Sequence, residues 1–194
     1  MLGMSASFGI SSQDERKSTS LEDETPLLLT HSTITDIGFS ADSIYTNTTI
    51  AAGTYNGCAI LENQSMVCWG DNEYGQLGDG TTEGSAVPIY VNVAANETPV
   101  EVTVGQVTAC ALMESGNIYC WGSGYYGKMG NGEPWNDDYV NTEMRQVLLP
   151  EGQGGQTVSI SGGHICTILN NGDVYCWGRG NQGQLGYGGT SNRN

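Results

Sequence analysis

Positive charge is what this sequence has least of. Lys and Arg together number 6 against 21 Asp and Glu, a formal net charge of −15. Such a chain repels phosphate backbones and has no basic stripe from which counterions could be released, which excludes nucleic acid as a partner. The acidity itself reads as solvated surface. Apolar residues recurring at helical spacing are missing, and no apolar run is long enough to span a membrane as a helix. Histidine is scarce, His31 and His164 being the whole supply. No GxxxxGK[ST] loop follows any of the glycine clusters, so a phosphate cradle has no support. No cysteine is left over either. The six fall into Cys58/Cys68, Cys110/Cys120 and Cys166/Cys176, each pair at one separation.

What is abundant is glycine, 29 of 194 residues, together with ten tyrosines and four tryptophans. Three tryptophans follow the second cysteine of each pair, Trp69, Trp121 and Trp177, spaced by 52 and then 56 residues. A period of that size marks a repeat protein. Short β-branched and aromatic runs bounded by Gly, Asn, Pro and Ser read as strands. Ala86 to Val93, Val100 to Val104, Ala109 to Met113 and Asn117 to Trp121 make one four-stranded unit. The next unit runs through Arg145 to Leu149, Thr157 to Ile160, Ile165 to Leu169 and Asp173 to Trp177. A more degenerate one starts at about Leu27 and continues through Thr48 to Ala52, Cys58 to Leu61 and Met66 to Trp69. The expected fold is all-β, with β-propeller blades of four antiparallel strands and repeats at about 25–80, 81–132 and 133–188. Residues 1–24 read either as a disordered terminus or as the remnant of a signal peptide, for Leu2, Met4 and Phe8 precede small residues while Glu22, Asp23 and Glu24 are strongly polar.

The cysteine hairpins can be registered from their turns. A three-residue loop closed by Gly172 sets Leu169 opposite Asp173, and counting outward sets Cys166 opposite Cys176. Gly116 does the same for Cys110 and Cys120; Gln64 occupies the glycine slot of the first hairpin, so its turn must differ or be strained. Three local disulfides follow, and they imply an oxidising compartment: extracellular, periplasmic or cell surface, with the cytoplasm as the alternative. Zinc fits poorly, because the spacing matches no CxxC knuckle and two histidines cannot complete three sites.

After each hairpin comes Trp-Gly and then Gly75-Gln76-Leu77-Gly78, Gly127-Lys128-Met129-Gly130 or Gly183-Gln184-Leu185-Gly186. Trp69, Trp121 and Trp177, with Leu77, Met129 and Leu185, are the expected blade core. These motifs resemble the regulator of chromosome condensation repeat family, whose repeats carry a His-Thr-Cys-Ala-Leu-like strand, a Tyr-x-Trp-Gly strand and Gly-Gln-Leu-Gly-x-Gly. The likeness runs from about Gly53 to Gly188. It implies a seven-bladed propeller, of which this chain holds material for about three blades. An array left open in that way would expose apolar faces and self-associate. The family histidine is present as His164 but replaced by Asn56 and Thr108.

In the eukaryotic namesake the resemblance implies guanine nucleotide exchange on a small nuclear GTPase and docking on chromatin. Paired cysteines and acidity oppose that role here, and the secreted microbial members it resembles are protein-binding scaffolds. The expected function is therefore a non-catalytic scaffold that binds a protein or glycan through blade loops. A regulator of a small GTPase is the alternative, and a propeller hydrolase or lyase the next. The block Gly132 to Gln146 reads as an insertion, with Trp135 and Tyr139 as candidate anchors and Asp137 and Asp138 at its rim. Tyr125 and Tyr126 lie in a connector as well. For an enzyme, Asp79, Glu133, Asp137 and Asp138 would be the acids, but no acid–base pair can be placed among them. Calcium at Asp137 and Asp138, or at Asp71 and Glu73, lacks the DxDxDG spacing; no metal and no cofactor is expected. Asn47, Asn63 and Asn96 head glycan acceptor triplets.

Overall fold

The computed structural model describes residues 49–133 and 140–194. Its strands are β1 (Ile50–Ala52), β2 (Asn56–Ile60), β3 (Met66–Gly70), β4 (Ser85–Tyr90), β5 (Pro99–Val104), β6 (Thr108–Met113), β7 (Ile118–Ser123), β8 (Val140–Gln146), β9 (Gly155–Ile160), β10 (His164–Leu169) and β11 (Val174–Gly178). One short 3-10 turn, Tyr125–Gly127, interrupts the β pattern. The strands form three antiparallel sheets, β1-β2-β3-β4, β5-β6-β7-β8 and β9-β10-β11. Residues 1–24 and the strand expected near Leu27 lie outside the described residues.

Sheet membership corrects the expected phase of the repeat. Ser85–Tyr90 pairs with β3 through Cys68↔Ile89 and Val67↔Tyr90, so it is the outer strand of the first sheet rather than the first strand of the second. Val140–Gln146 likewise pairs with β7 through Cys120↔Arg145 and Tyr119↔Gln146. In the sequence each outer strand stands close to the strand after it and far from the one before, across a glycine-rich connector. That proximity misleads, because the connector folds back and returns the chain to β3 or β7. The block 132–146 is corrected by the same observation. Its second half is β8, and the true excess is the difference between Gly122↔Asn141 and the shorter spans Gly70↔Ser85 and Gly178↔Arg193.

Each core lies between two sheets, not within one. Ala109, Ala111 and Met113 of β6 join Cys58, Ile60, Met66, Cys68 and Leu77 of the preceding repeat. Cys110 and Leu112, on the other side of the same strand, join Val158, Ile165 and Trp177 of the following one. Alternation along a strand sends successive side chains to opposite faces. A strand sandwiched between neighbours must therefore be small and apolar throughout, and all six residues of Thr108-Ala-Cys-Ala-Leu-Met113 are buried.

The hairpin register agrees with the turn argument. Cys58↔Cys68, Cys110↔Cys120 and Cys166↔Cys176 are directly opposite, with Cα atoms 4.1 Å apart in each pair, and all three are disulfide-bonded. That separation belongs to the non-hydrogen-bonded positions of an antiparallel ladder, the closer of the two kinds. The first hairpin uses the same turn as the others: Leu61 N donates to Ser65 O at 2.8 Å, as Met113 N does to Asn117 O and Leu169 N to Asp173 O. Gln64 therefore takes the left-handed conformation of Gly116 and Gly172, with φ 65°, and bears strain of about 1 kcal/mol that glycine would avoid. Non-reducing peptide mapping should recover Cys58–Cys68, Cys110–Cys120 and Cys166–Cys176 alone; dominant pairing between repeats would contradict this register.

Candidate interaction face

Hydrogen bonds divide the loops between two ends of the sheets. At one end, each connector after the tryptophan strand is tied to the turn between the first two strands of its repeat: Asp71 N donates to Tyr55 O, Ser123 N to Val107 O and Arg179 N to Gly163 O. At the other end the cysteine hairpin tips are tied to the linkers between repeats, through Glu114 N to Thr98 O and Asn170 N to Gly154 O. Glu97 reinforces that end by accepting from Ser115, Asn117 and Tyr119. The long connectors of successive repeats thus share one face.

The first connector shows how such a loop is held without regular structure. Asn72 is fully buried. Its amide donates to Asp79 Oδ1 at 3.2 Å, Thr81 O at 3.1 Å and Glu83 O at 3.0 Å, while its Oδ1 accepts from Leu77 N at 2.9 Å. Gln76 is also buried, accepting from Tyr74 N and donating to Asp71 Oδ2, both at 2.8 Å. Gln184 repeats the first of these bonds with Gln182 N at 2.8 Å. A loop whose buried polar groups are satisfied in this way is rigid.

Tryptophan locks the first and second connectors to the repeat that follows. Trp121 Nε1 donates to Gln76 O at 2.9 Å, and Trp177 Nε1 donates to Lys128 O at the same distance. The glycine two residues further on is required on two counts. Gly78 has φ 66° and Gly130 φ 60°, and a Cβ at either would stand 2.8 Å or 2.7 Å from the facing indole nitrogen. Trp121 and Trp177 are 0% and 2% exposed, and Leu77, Met129 and Leu185 are buried as expected. Trp69 departs from the expected equivalence. It lies over Gly57 and is only half-buried.

Charge differs sharply among the three connectors. The first carries Asp71, Glu73, Asp79 and Glu83 and no cation. In the second, Lys128 takes the glutamine position and is 3% exposed; burial lowers its pKa to about 8. In the third, Arg179 stands where the first has Asp71, and no acid occurs from Val174 to Asn194.

Of the candidate acids, Asp79 is occupied with structure. Burial raises its pKa, but hydrogen bonds from Thr81 and Asn72 outweigh this and hold the carboxyl below its ordinary value. An acid held ionised by its own loop is a poor proton donor. Among the described residues no group of three or more His, Cys, Asp or Glu side chains gathers to hold a metal, and no helix is long and apolar enough to cross a membrane. Trp135, Asp137, Asp138 and Tyr139 lie outside the described residues. Sequence reasoning missed the importance of Asn72, Gln76 and Lys128; the repeated Gly-Gln-Leu-Gly frame was the available signal, and a lysine in a glutamine slot its clearest departure.

Sheets of antiparallel strands packed face to face, each locked by a tryptophan onto the glycine turn of its predecessor, define a propeller-type repeat protein. The chain belongs to the regulator of chromosome condensation (RCC1) repeat family: models of that repeat match residues 48–76, 100–128 and 156–184, and a second model matches 67–112. It is 34% identical over 142 residues to the human E3 ubiquitin-protein ligase HERC2, covering 72% of this chain and 3% of that one. It is 30% identical over 145 residues to the ultraviolet-B receptor UVR8 of Arabidopsis thaliana, covering 75% and 32%. Among solved structures, Prp20p of Saccharomyces cerevisiae superposes with a TM-score of 0.64 at 20% identity, covering 74% of this chain and 36% of that one. Human WBSCR16 superposes with a TM-score of 0.65 at 19% identity, covering 75% and 37%. The chain thus spans about a third or less of these proteins.

Proposed function

We propose that the chain is a non-catalytic interaction scaffold that binds a protein partner through the connector face, in an extracellular, periplasmic or cell-surface setting. The observation that carries this reading is that face itself, its first two connectors locked to the following repeats by Trp121 and Trp177 and the first held from within by the buried Asn72 and Gln76. A rigid support presenting variable loops is the usual platform for recognition. Tyr125 and Tyr187 are exposed on it, and tyrosines make good interface anchors. The structure of Prp20p is described together with its binding to Gsp1p and histones, so protein binding by this fold has a precedent. The three disulfides support the oxidising compartment. Asn63 and Asn96 lie at the hairpin end, so a glycan at either would leave the connector face clear.

The longest connector should contribute most, with Trp135 and Tyr139 as anchors. Pull-down from culture medium or cell envelope should recover a protein with the wild type and much less with Trp135→Ala, Tyr139→Ala. Equal recovery by both forms, or a partner that is duplex DNA or a nuclear GTPase, would count against this reading.

A further inference from the structure

We propose that the connector face takes an acidic polypeptide segment where the second and third repeats meet, its carboxylates pairing with Arg179 and Arg193. The inference rests on the reading of that face as an interaction surface and names the chemistry of the partner. The whole chain has six Lys and Arg, and four of them, Lys128, Arg145, Arg179 and Arg193, fall within the described residues, all from Lys128 onward. Among the described residues the cations are therefore gathered in the second and third repeats, while the first connector carries acids alone.

Two of these cations are shaped for recognition. The Arg179 guanidinium lies 5.2 Å from the ring centre of Tyr126, across the boundary between repeats, and its Nε donates to Asn181 Oδ1 at 2.8 Å. Arg193 lies 4.4 Å from the ring centre of Tyr187. Tyr187 is itself pinned to Ser191, accepting from the backbone N at 2.6 Å and donating to the carbonyl at 2.9 Å. The two arginine segments are joined by paired backbone bonds, Gly178 N to Arg193 O at 2.7 Å and Arg193 N to Gly178 O at 3.0 Å. Gly127, next to Tyr126, packs against Arg193 O, so the tyrosine under Arg179 belongs to the same patch. Among the described residues of the second connector the carboxyl-bearing one is Glu133, whose backbone carbonyl accepts from the Asn194 amide.

A guanidinium held over a tyrosine loses little side-chain entropy on binding, and with Arg179 Nε fixed on Asn181 its terminal N–H groups are oriented for a carboxylate. The rings beside it offer apolar area to the stem of a Glu or Asp. Arg193 is exposed and Arg179 partly so, on a surface of loops; this suits an extended chain carrying several carboxylates.

Fluorescence anisotropy of a labelled oligo-glutamate peptide with the full chain tests the proposal, alongside oligo-lysine and a heparin-derived oligosaccharide. Saturable binding of oligo-glutamate is expected, weakening as salt is raised. Arg179→Gln, Arg193→Gln should weaken it about tenfold or more, Arg179→Lys, Arg193→Lys by less, and Arg145→Gln hardly at all, with circular dichroism unchanged throughout. The proposal is overturned if oligo-glutamate does not bind, if the double glutamine variant binds it equally well, or if heparin alone binds and depends on these arginines. A partner still captured through Trp135 and Tyr139 in those cases would leave the scaffold reading intact; loss of both would remove both.

Discussion

Trp121→Ala and Trp177→Ala are each expected to destabilise the chain by about 3–5 kcal/mol, and Trp69→Ala by distinctly less. The first two indoles are buried, donate to a backbone carbonyl of the preceding connector, and fill the space above Gly78 and Gly130. Truncation removes about 150–250 Å² of buried aromatic surface. It also leaves Gln76 O or Lys128 O without its donor, and opens a gap that the disulfide-bonded hairpins cannot close by collapsing. Trp69 is only half-buried, so the same truncation uncovers less. Chemical denaturation of the three variants should rank Trp69→Ala as the mildest. Three equal effects, or a Trp121→Ala variant as stable as the wild type, would contradict the interlock.

Lys128→Gln is expected to stabilise the chain at neutral pH, by about 3 kcal/mol on the scale of a shift from 10.5 to about 8. Burial disfavours the ammonium form, so the folded state holds Lys128 with a pKa below its unfolded value. Below pH 8 both states are protonated and the full penalty is present. Between about 8 and 10.5 the folded state releases its proton first, and the penalty disappears as pH rises. Glutamine carries no charge and restores an acceptor of the kind Gln76 and Gln184 offer to Tyr74 N and Gln182 N. The stability difference between variant and wild type should therefore be largest near pH 7 and shrink toward pH 10.5. A difference that does not change over that interval would show that Lys128 is not a buried charge.

Much of this architecture was legible in the residues because it is local. A three-residue turn at Gly172 or Gly116 dictates the pairing of the strands beside it, and the cysteines then have one possible register. Ala109 to Met113 was legible as a strand, but the burial of both its faces comes from the sheets on either side. The phase of the repeat was not, since Ser85–Tyr90 and Val140–Gln146 reach their partners across long connectors whose path no periodicity records. Nor was the lesser burial of Trp69 beside Trp121 and Trp177, because a repeated motif does not by itself fix how closely other segments cover it. The connector face needed three dimensions for the same reason. Asp71 and Arg179 occupy equivalent positions in distant segments, and only the stacking of the repeats turns that substitution into a polarity across one surface.

We propose the connector face, not the hairpin end, as the surface that meets a partner. Hydroxyl-radical footprinting of the chain, alone and with its captured partner, tests this most directly. Protection is expected at Tyr125, Tyr126 and Tyr187, with the tips at Asn63, Ser115 and Asn171 unchanged. Protection confined to those hairpin tips would contradict the account.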